Sequence, residues 1–511
     1  MKPITRRGFL AAGVSLGVGV PFVLGGEGSA STGRVLPSRR PRPRPFVRPL
    51  TVPPVLTPYR RDASGDHYRI VQRAASAEIL PGVRTTVWAY NGTFPGPTIV
   101  SRRGRPCSVT HVNRLPVPTV VHLHGGRTPP ASDGYPLDFV HPAGRMPVHD
   151  HRHMGGDVRF GQRTYTYPLE QRAATLWYHD HRMDFTGPSV WRGLAGFHLV
   201  RDSEEDRLRL PSGPRELPLM ITDRSFDADG SLRYPSLDPT LTGEPGVRSP
   251  YEAGVLGDVM LVNGVPWPVA TVVGASYRLR LLNACNARRL DLRLDPSPDG
   301  GLTQIGSDGG LLAAPVRHQH FELAPAQRLD AVVDFSGYRP GTLVTLRNEF
   351  GEPGMDRILC FRVGSPVSDD FVLPERLSTV EDLRTADAAV TRTFRFRRGN
   401  VGHTTGWVID GQPFGPDVVA AACRLGTTEI WRLTADFHHP VHLHLNPFQV
   451  LSRGLGSPLP SDAGWKDTID LRPAEEAAIA IKFDGYPGKY VFHCHNLEHE
   501  DMAMMANFTT R

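Results

Sequence analysis

Lysine is nearly missing from this 511-residue chain: Lys2, Lys466, Lys482 and Lys489 stand against 54 arginines, a bias that reads as GC-rich coding. Beyond the first thirty residues no apolar run is long enough to cross a bilayer, which excludes a membrane-embedded body and leads us to expect a soluble one. Long helical periodicity is scarce, which argues against a helical bundle. Basic excess is absent from the body. Residues 1–50 hold nine Lys/Arg and one acid out of 58 and 52, so the rest carries 49 against 51. The basic pI therefore belongs to the N-terminal tail, and nothing in the body suggests a nucleic-acid surface.

The tail divides in two. Thr5-Arg6-Arg7-Gly8-Phe9-Leu10 is a twin-arginine motif, followed by a short, glycine-rich apolar run and by the small residues Ser29 and Ala30. Residues 1–30 thus read as an export signal for the twin-arginine machinery, which predicts an extracellular or cell-envelope location. Residues 31–58, rich in proline and arginine, read as an extended, solvated arm without packed structure.

The body of about 460 residues is long enough for roughly three domains. It is built of short Val/Ile/Leu/Thr runs such as Arg84-Thr-Thr-Val-Trp-Ala-Tyr90 and Thr342-Leu-Val-Thr-Leu346, punctuated by Gly, Pro and Asn-Gly. That texture predicts an all-β fold of sandwiches. Thr119-Val-Val-His-Leu-His124 resembles His439-Pro-Val-His-Leu-His444, and Leu176-Trp-Tyr-His-Asp-His181 resembles Tyr490-Val-Phe-His-Cys-His495. The first and last thirds therefore carry the same pair of motifs in the same order, as a repeated domain would.

Within the last motif, Cys494, His499 and Met504 offer a thiolate, an imidazole and a thioether in eleven residues. A trigonal His₂Cys set with a weak axial Met is a copper electron-transfer site. Side chains alternate along a strand, so His493 and His495 point one way and Cys494 the other. The same parity separates His439 from His442 and His444, provided no bulge intervenes. His439 therefore belongs with the thiolate, and the other imidazoles with a second metal centre. Four motifs with ten of the 21 histidines around one cysteine favour copper over zinc or calcium.

These motifs, His122-x-His124, His179-x-His181, His439-x₂-His442-x-His444 and His493-Cys-His-x₃-His499-x₄-Met504, resemble those of the multicopper oxidases. The likeness extends to Asn91-Gly-Thr-Phe-Pro-Gly-Pro-Thr-Ile99. The stretch from His122 to Gly134 and the run His495-Asn-Leu-Glu-His-Glu-Asp501 are most similar to the bacterial spore-coat laccase and bilirubin-oxidase-like group, with phenoxazinone-synthase-type oxidases as close relatives. The resemblance implies three consecutive cupredoxin-like Greek-key sandwiches, placed at 59–204, 205–375 and 376–511, with a trinuclear cluster between the first and third. It implies four copper ions. His439, Cys494, His499 and Met504 would hold type 1 copper, with Met504 chosen over Met502 and Met505 by its offset from Cys494. His122 and His442 would hold type 2. His124, His179, His181, His444, His493 and His495 would hold the type 3 pair. Asp133 and Glu500 stand where this group places carboxylates that serve oxygen reduction. The implied activity is one-electron oxidation of a phenolic or aminophenolic reductant coupled to four-electron reduction of O₂ to water.

Two other readings compete. A cuprous oxidase for copper detoxification would carry a methionine-rich segment over its type 1 site, and this chain has ten Met and no such segment. An exported copper-binding or scaffold protein with a vestigial oxidase fold would not retain all twelve ligand positions. His318-Gln-His320, without a partner motif, reads as structural. The dense His149-Asp-His-Arg-His153 stretch reads as a solvated loop, with an extra copper site as the alternative. Of Cys107, Cys285, Cys360 and Cys423, the pair Cys285 and Cys360 is the candidate disulfide, with buried free thiols the alternative.

Overall fold

The computed structural model describes residues 31–144, 155–298, 301–401 and 404–511. The twin-arginine motif and His149, His151 and His153 lie outside the described residues. Strands account for 48% of the described residues and helix for 6%, the all-β class expected. The short apolar runs form strands because alternation matches the pleat. In Leu290–Asp295, for example, Leu290, Leu292 and Leu294 are buried while the residues between them are half-exposed.

Six large sheets pair into three successive sandwiches, with strands at 60–201, 216–366 and 388–510. All six share one feature: each contains a parallel pair. Gly65–Ala77 lies parallel to Cys107–Asn113 and Gly96–Arg102 to Ala195–Arg201. Glu216–Phe226 lies parallel to Ser276–Asn283 and Val269–Gly274 to Arg357–Pro366. Ala388–Val401 lies parallel to Thr427–Ala435 and Val419–Cys423 to Met505–Thr510. The middle sandwich thus repeats the outer two, although it lacks their histidine motifs.

Each sandwich encloses an apolar interior, and that of the middle one runs on into Ile79, Leu80, Val87 and Ala89 of the first. In the third, Phe394 of one sheet meets Phe492 of the other at 4.8 Å, and Trp431, Phe483 and Phe508 fill the same layer. Each such side chain contributes about 1.5–3 kcal/mol on burial.

The histidine motifs lie on neighbouring strands. In the first sandwich β1 (Val121–His124) runs antiparallel to β2 (Ala174–Asp180), with His122 opposite His179. In the third, β3 (His439–Leu443) lies between β4 (Thr468–Leu471) and β5 (Gly488–Cys494), with His442 opposite both Thr468 and His493. The short helix α1 (Leu497–Asp501) follows β5, and β6 (Met505–Thr510) pairs back onto it. These strands are buried on both faces because the two outer sandwiches pack together there. Tyr135 donates to Asn507 at 2.8 Å and Tyr490 to the Thr128 carbonyl at 3.1 Å.

The middle sandwich braces the junction. Arg280 donates to Thr175 at 2.8 Å, and the Val255 amide donates to Glu498 at 3.0 Å. Arg278 and Arg280 are fully buried among Glu205, Glu216 and Asp330, so opposite charges offset the cost of desolvating each guanidinium.

One expectation needs correction. The arm at 31–58 is extended but not unpacked. Arg34–Val35 pairs parallel with Val255–Leu256, and Leu36 is buried. Further on, the amides of Arg39, Phe46, Leu50 and Leu56 donate to the carbonyls of Phe226, Trp267, Val269 and Thr98. Proline removes some donors, but those between the prolines find acceptors along strand edges of the first and middle sandwiches. No helix among the described residues is long and apolar enough to cross a membrane.

Candidate metal centre

The parity read from the sequence holds on both strands. On one side of β5, Cys494 faces His439 and His499. On the other, His493 and His495 join the imidazoles of β1, β2 and β3.

The thiolate side is compact. Cys494 Sγ lies 3.4 Å from His439 Nδ1 and 3.6 Å from His499 Nδ1, and the two nitrogens are 3.1 Å apart. His499 sits on α1, one short turn that ends at Asp501 and is capped by Met502. Ala503 then takes a positive φ of 78° and reverses the chain. The Met504 amide donates to the His499 carbonyl at 3.0 Å, and Met504 is fully buried in the apolar cluster that holds Cys494. Met505 lies opposite His493 in the β5–β6 ladder, hence on the other face, and Met502 is only half-buried. Of the three methionines, Met504 is the one buried within the cluster that holds the thiol, and Met502 packs against its outside.

The imidazole side is larger. His181 Nε2 lies 3.2 Å, and His444 Nε2 3.4 Å, from His493 Nε2. His124, His179 and His495 form a second triplet, each pair of ring nitrogens within 4.8 Å. His122 Nε2 and His442 Nε2 are 3.4 Å apart between them. The first sandwich supplies four of these eight rings and the third supplies four.

Outer oxygens fix which nitrogen is free. The Nδ1 atoms of His122, His179 and His442 donate to the carbonyls of Asp133, Asp180 and Asp467 at 2.5, 2.8 and 2.8 Å. His444 Nδ1 donates to the Asp133 carboxylate at 2.7 Å, and His124 Nε2 to the Asp467 carboxylate at 3.1 Å. His439 Nε2 donates to Asp436 at 2.9 Å and His499 Nε2 to the Ala253 carbonyl at 3.1 Å. With one ring nitrogen carrying the proton, the other points inward as a lone pair. Glu500 places its carboxylate 3.1 Å from His493 Nδ1 and 3.5 Å from His181 Nδ1.

The donor set fits copper. Burial pushes His122, His124, His444, His495 and His499 well below the ordinary histidine range, His179 to about 3 and His181 to about 4, so these rings are neutral at physiological pH and free to act as donors to a metal. His124 Nδ1, His179 Nε2 and both nitrogens of His495 are buried with no hydrogen-bond partner in the protein. An unsatisfied buried polar atom costs about 1–3 kcal/mol, which a bound cation would recover. Burial also pushes the Cys494 thiol up, while a coordinated cation deprotonates a thiol outright.

The two carboxyls expected at the site are both there, in opposite electrostatic states. Burial and then Asp138 push Asp133 well above the usual carboxylate range. Burial acts to raise Glu500 as well, but His493 and His181 outweigh it and hold that group low.

Three partners of the ligands escaped the sequence reading. Asp467 follows Trp465 and Lys466 in a stretch without histidine, and no signal marked it. Trp407 stacks on His499 at 3.6 Å from another sheet, also unmarked. Asp436 precedes His439 by three residues, and that proximity was the one available hint. Among the described residues His318 and His320 join no metal-like group: His318 bonds Gln304 at 2.9 Å and His320 is exposed beside Asp291. The disulfide expectation is overturned, since all five cysteines are free and buried. Cys285 Sγ turns to the Ile221 carbonyl in one sheet of the middle sandwich, while Cys360 sits in the strand Arg357–Pro366 of the other sheet.

Two family models, both described as multicopper oxidase, match residues 72–146 with 159–205 and residues 380–511. The chain is 36% identical to a laccase of Bacillus subtilis (strain 168), over 90% of this chain and 97% of that protein. It is 33% identical to a bilirubin oxidase of Albifimbria verrucaria, over 91% and 81%. Among solved structures it resembles a laccase from Pediococcus acidilactici, with a TM-score of 0.79, 31% identity and 93% and 96% of the two chains covered. Likeness of this extent, joined to a thiolate site and an imidazole cluster on opposite faces of one strand, means that the chain belongs to the multicopper oxidase family as a laccase-like, four-copper oxidoreductase that uses O₂.

Proposed function

We propose that the chain oxidises small phenolic or aminophenolic reductants at its thiolate site and reduces O₂ to water at the imidazole cluster. The observation that carries this reading is the strand β5. Cys494 closes the one site with His439 and His499, and its covalent neighbours His493 and His495 each enter a different triplet of the other. In this assignment His439, Cys494, His499 and Met504 hold type 1 copper, His122 and His442 type 2, and the two triplets the type 3 pair. When bound, copper would supply the one-electron redox chemistry that couples the reductant to O₂.

The protein's own part is placement. The Cys494 side chain and two peptide units join the sites through covalent bonds. Asp133 holds the His444 ring in one tautomer, and Glu500 keeps a buried carboxylate beside His493 and His181, where a proton must arrive as O₂ is consumed. The twin-arginine motif supports export of the chain through that machinery to the outside of the cell or its envelope.

Copper loading followed by an absorption spectrum and oxygen uptake with 2,6-dimethoxyphenol tests the reading. An intense blue band, with oxygen consumed and no peroxide released, is expected. A colourless protein replete with copper would overturn the role of Cys494.

A further inference from the structure

Asp133 and Asp467 form a matched pair across the junction of the outer sandwiches. Asp133, from the first sandwich, accepts from its own His122 through the backbone carbonyl and from His444 of the third through its carboxylate. Asp467, from the third, accepts from its own His442 through the carbonyl at 2.8 Å and from His124 of the first through its carboxylate at 3.1 Å. Each aspartate therefore ties one ring of its own sandwich to one ring of the other.

The pair differs in what stands behind it. Asp133 Oδ1 has no hydrogen-bond partner in the protein. Both oxygens of Asp467 are gripped by the guanidinium fork of Arg328, Nη1 at 2.8 Å from Oδ1 and Nη2 against Oδ2. Arg328 is fully buried and all its donors are used: Nε to the Thr175 carbonyl at 3.0 Å, Nη1 also to the Ala326 carbonyl at 2.9 Å, and Nη2 also to the Asp308 carbonyl at 3.1 Å. Asp308, from the same middle sandwich, accepts the Arg328 amide at 2.8 Å and the amides of Asp467 and Thr468 at 3.3 and 3.4 Å. It also pairs with buried Lys466 at 3.0 Å. The segment 466–468 is thus clamped from a sandwich that holds none of the expected ligands.

We propose that Arg328 is a positioning residue for the imidazole cluster, acting from the middle sandwich through Asp467 on His124 and His442. The inference rests on the copper reading of those rings given above. A planar fork that meets both oxygens fixes the rotation of the carboxylate as well as its position, which a single ammonium cannot do. The carboxylate in turn fixes the His124 ring, and the Asp467 carbonyl fixes His442.

The test uses the full-length, copper-loaded protein and the variants Arg328→Lys and Asp467→Asn. Arg278→Lys serves as control, because Arg278 forms an equally buried fork with Asp330 in the same sandwich but touches no imidazole. Copper per chain, the blue band, the electron paramagnetic resonance of the non-blue copper, and kcat and KM are measured. Arg328→Lys and Asp467→Asn are expected to keep the blue band and the KM for 2,6-dimethoxyphenol. They should change the non-blue resonance and lose about 10–100-fold in cluster copper affinity or kcat, the usual effect of removing a partner behind a metal ligand. The control should leave that resonance unchanged, whatever it does to the melting temperature. If Arg328→Lys does not accumulate as folded protein, the near-isosteric Asp467→Asn decides alone. Wild-type resonance and kcat in both variants, or an equal change in the control, would overturn the proposal while leaving the copper reading intact. A wild type that takes up copper at the thiolate site only would overturn both.

Discussion

The two faces of β5 are built by different means. On the thiolate face, the expected ligands His439, Cys494, His499 and Met504 come from one sandwich, and α1 with the turn at Ala503 delivers two of them within ten residues of Cys494. On the imidazole face, eight rings come half from each outer sandwich, and their outer oxygens come from both. The first kind of site needs one well-folded domain. The second needs two domains held in fixed relation, since ring nitrogens 3.2–3.4 Å apart belong to different sandwiches. Displacement of a metal ligand by about 1 Å spoils such a site. Packing at the junction is therefore part of the cluster, and the middle sandwich earns its place as a brace.

The most severe way to break this comparison is Cys494→Ser. It removes the thiol proposed to hold type 1 copper and leaves every ring of the other face in place. The blue band and turnover with 2,6-dimethoxyphenol should vanish, while copper falls from four to three per chain. Loss of the cluster copper as well would show that the two faces are not independent.

Next in size comes Glu500→Gln, which keeps the shape of a fully buried side chain and removes its charge beside His493 and His181. The blue band should stay, because Cys494, His439 and His499 are untouched. The kcat should fall by about 10–100-fold, as for other groups that support metal ligands from outside. Stopped reduction of the blue band by substrate, measured without O₂, should remain at the wild-type rate. A slowed reduction would place Glu500 on the thiolate side of the electron path.

Much of this division was legible in the sequence. Strand alternation alone separated Cys494 from His493 and His495, and His439 from His442 and His444, because parity needs only an extended backbone. The repeat of His-x-His pairs pointed to two equivalent outer sandwiches, and the short β-runs to an all-β chain. The division of rings among copper types came from family likeness, since spacing along a strand does not say which rings meet across a domain junction. Arg328 and Asp467 are 139 residues apart and carry no motif, so only the packed structure brings them together. The arm misled for a related reason. Its composition describes the segment, not the unpaired strand edges at Val255, Trp267 and Thr98 that receive it. Cys285 and Cys360 share a sandwich but not a sheet, a distinction that sequence position does not make.

The smallest expected effect concerns Asp436, the thiolate-side counterpart of Asp133 and Asp467. It accepts from His439 Nε2 at 2.9 Å, yet a third of its side chain is exposed, and the same carboxylate also accepts the Phe437 and Arg398 amides. In Asp436→Ala, water can take over the His439 proton, so no buried donor is stranded. The loss is then that of an ordinary hydrogen bond, about 0.5–1.5 kcal/mol, or roughly two- to tenfold in copper affinity at this site. Titrating the blue band with copper in wild type and variant measures it directly. The carboxylates of Asp467 and Glu500 are far more buried, at 5% and 1% side-chain exposure, which is why Asp467→Asn and Glu500→Gln are expected to cost more. If Asp436→Ala weakened the blue site a hundredfold, the thiolate face would depend on its outer shell as steeply as the cluster does. The contrast between a locally built site and a junction-built one would then fail.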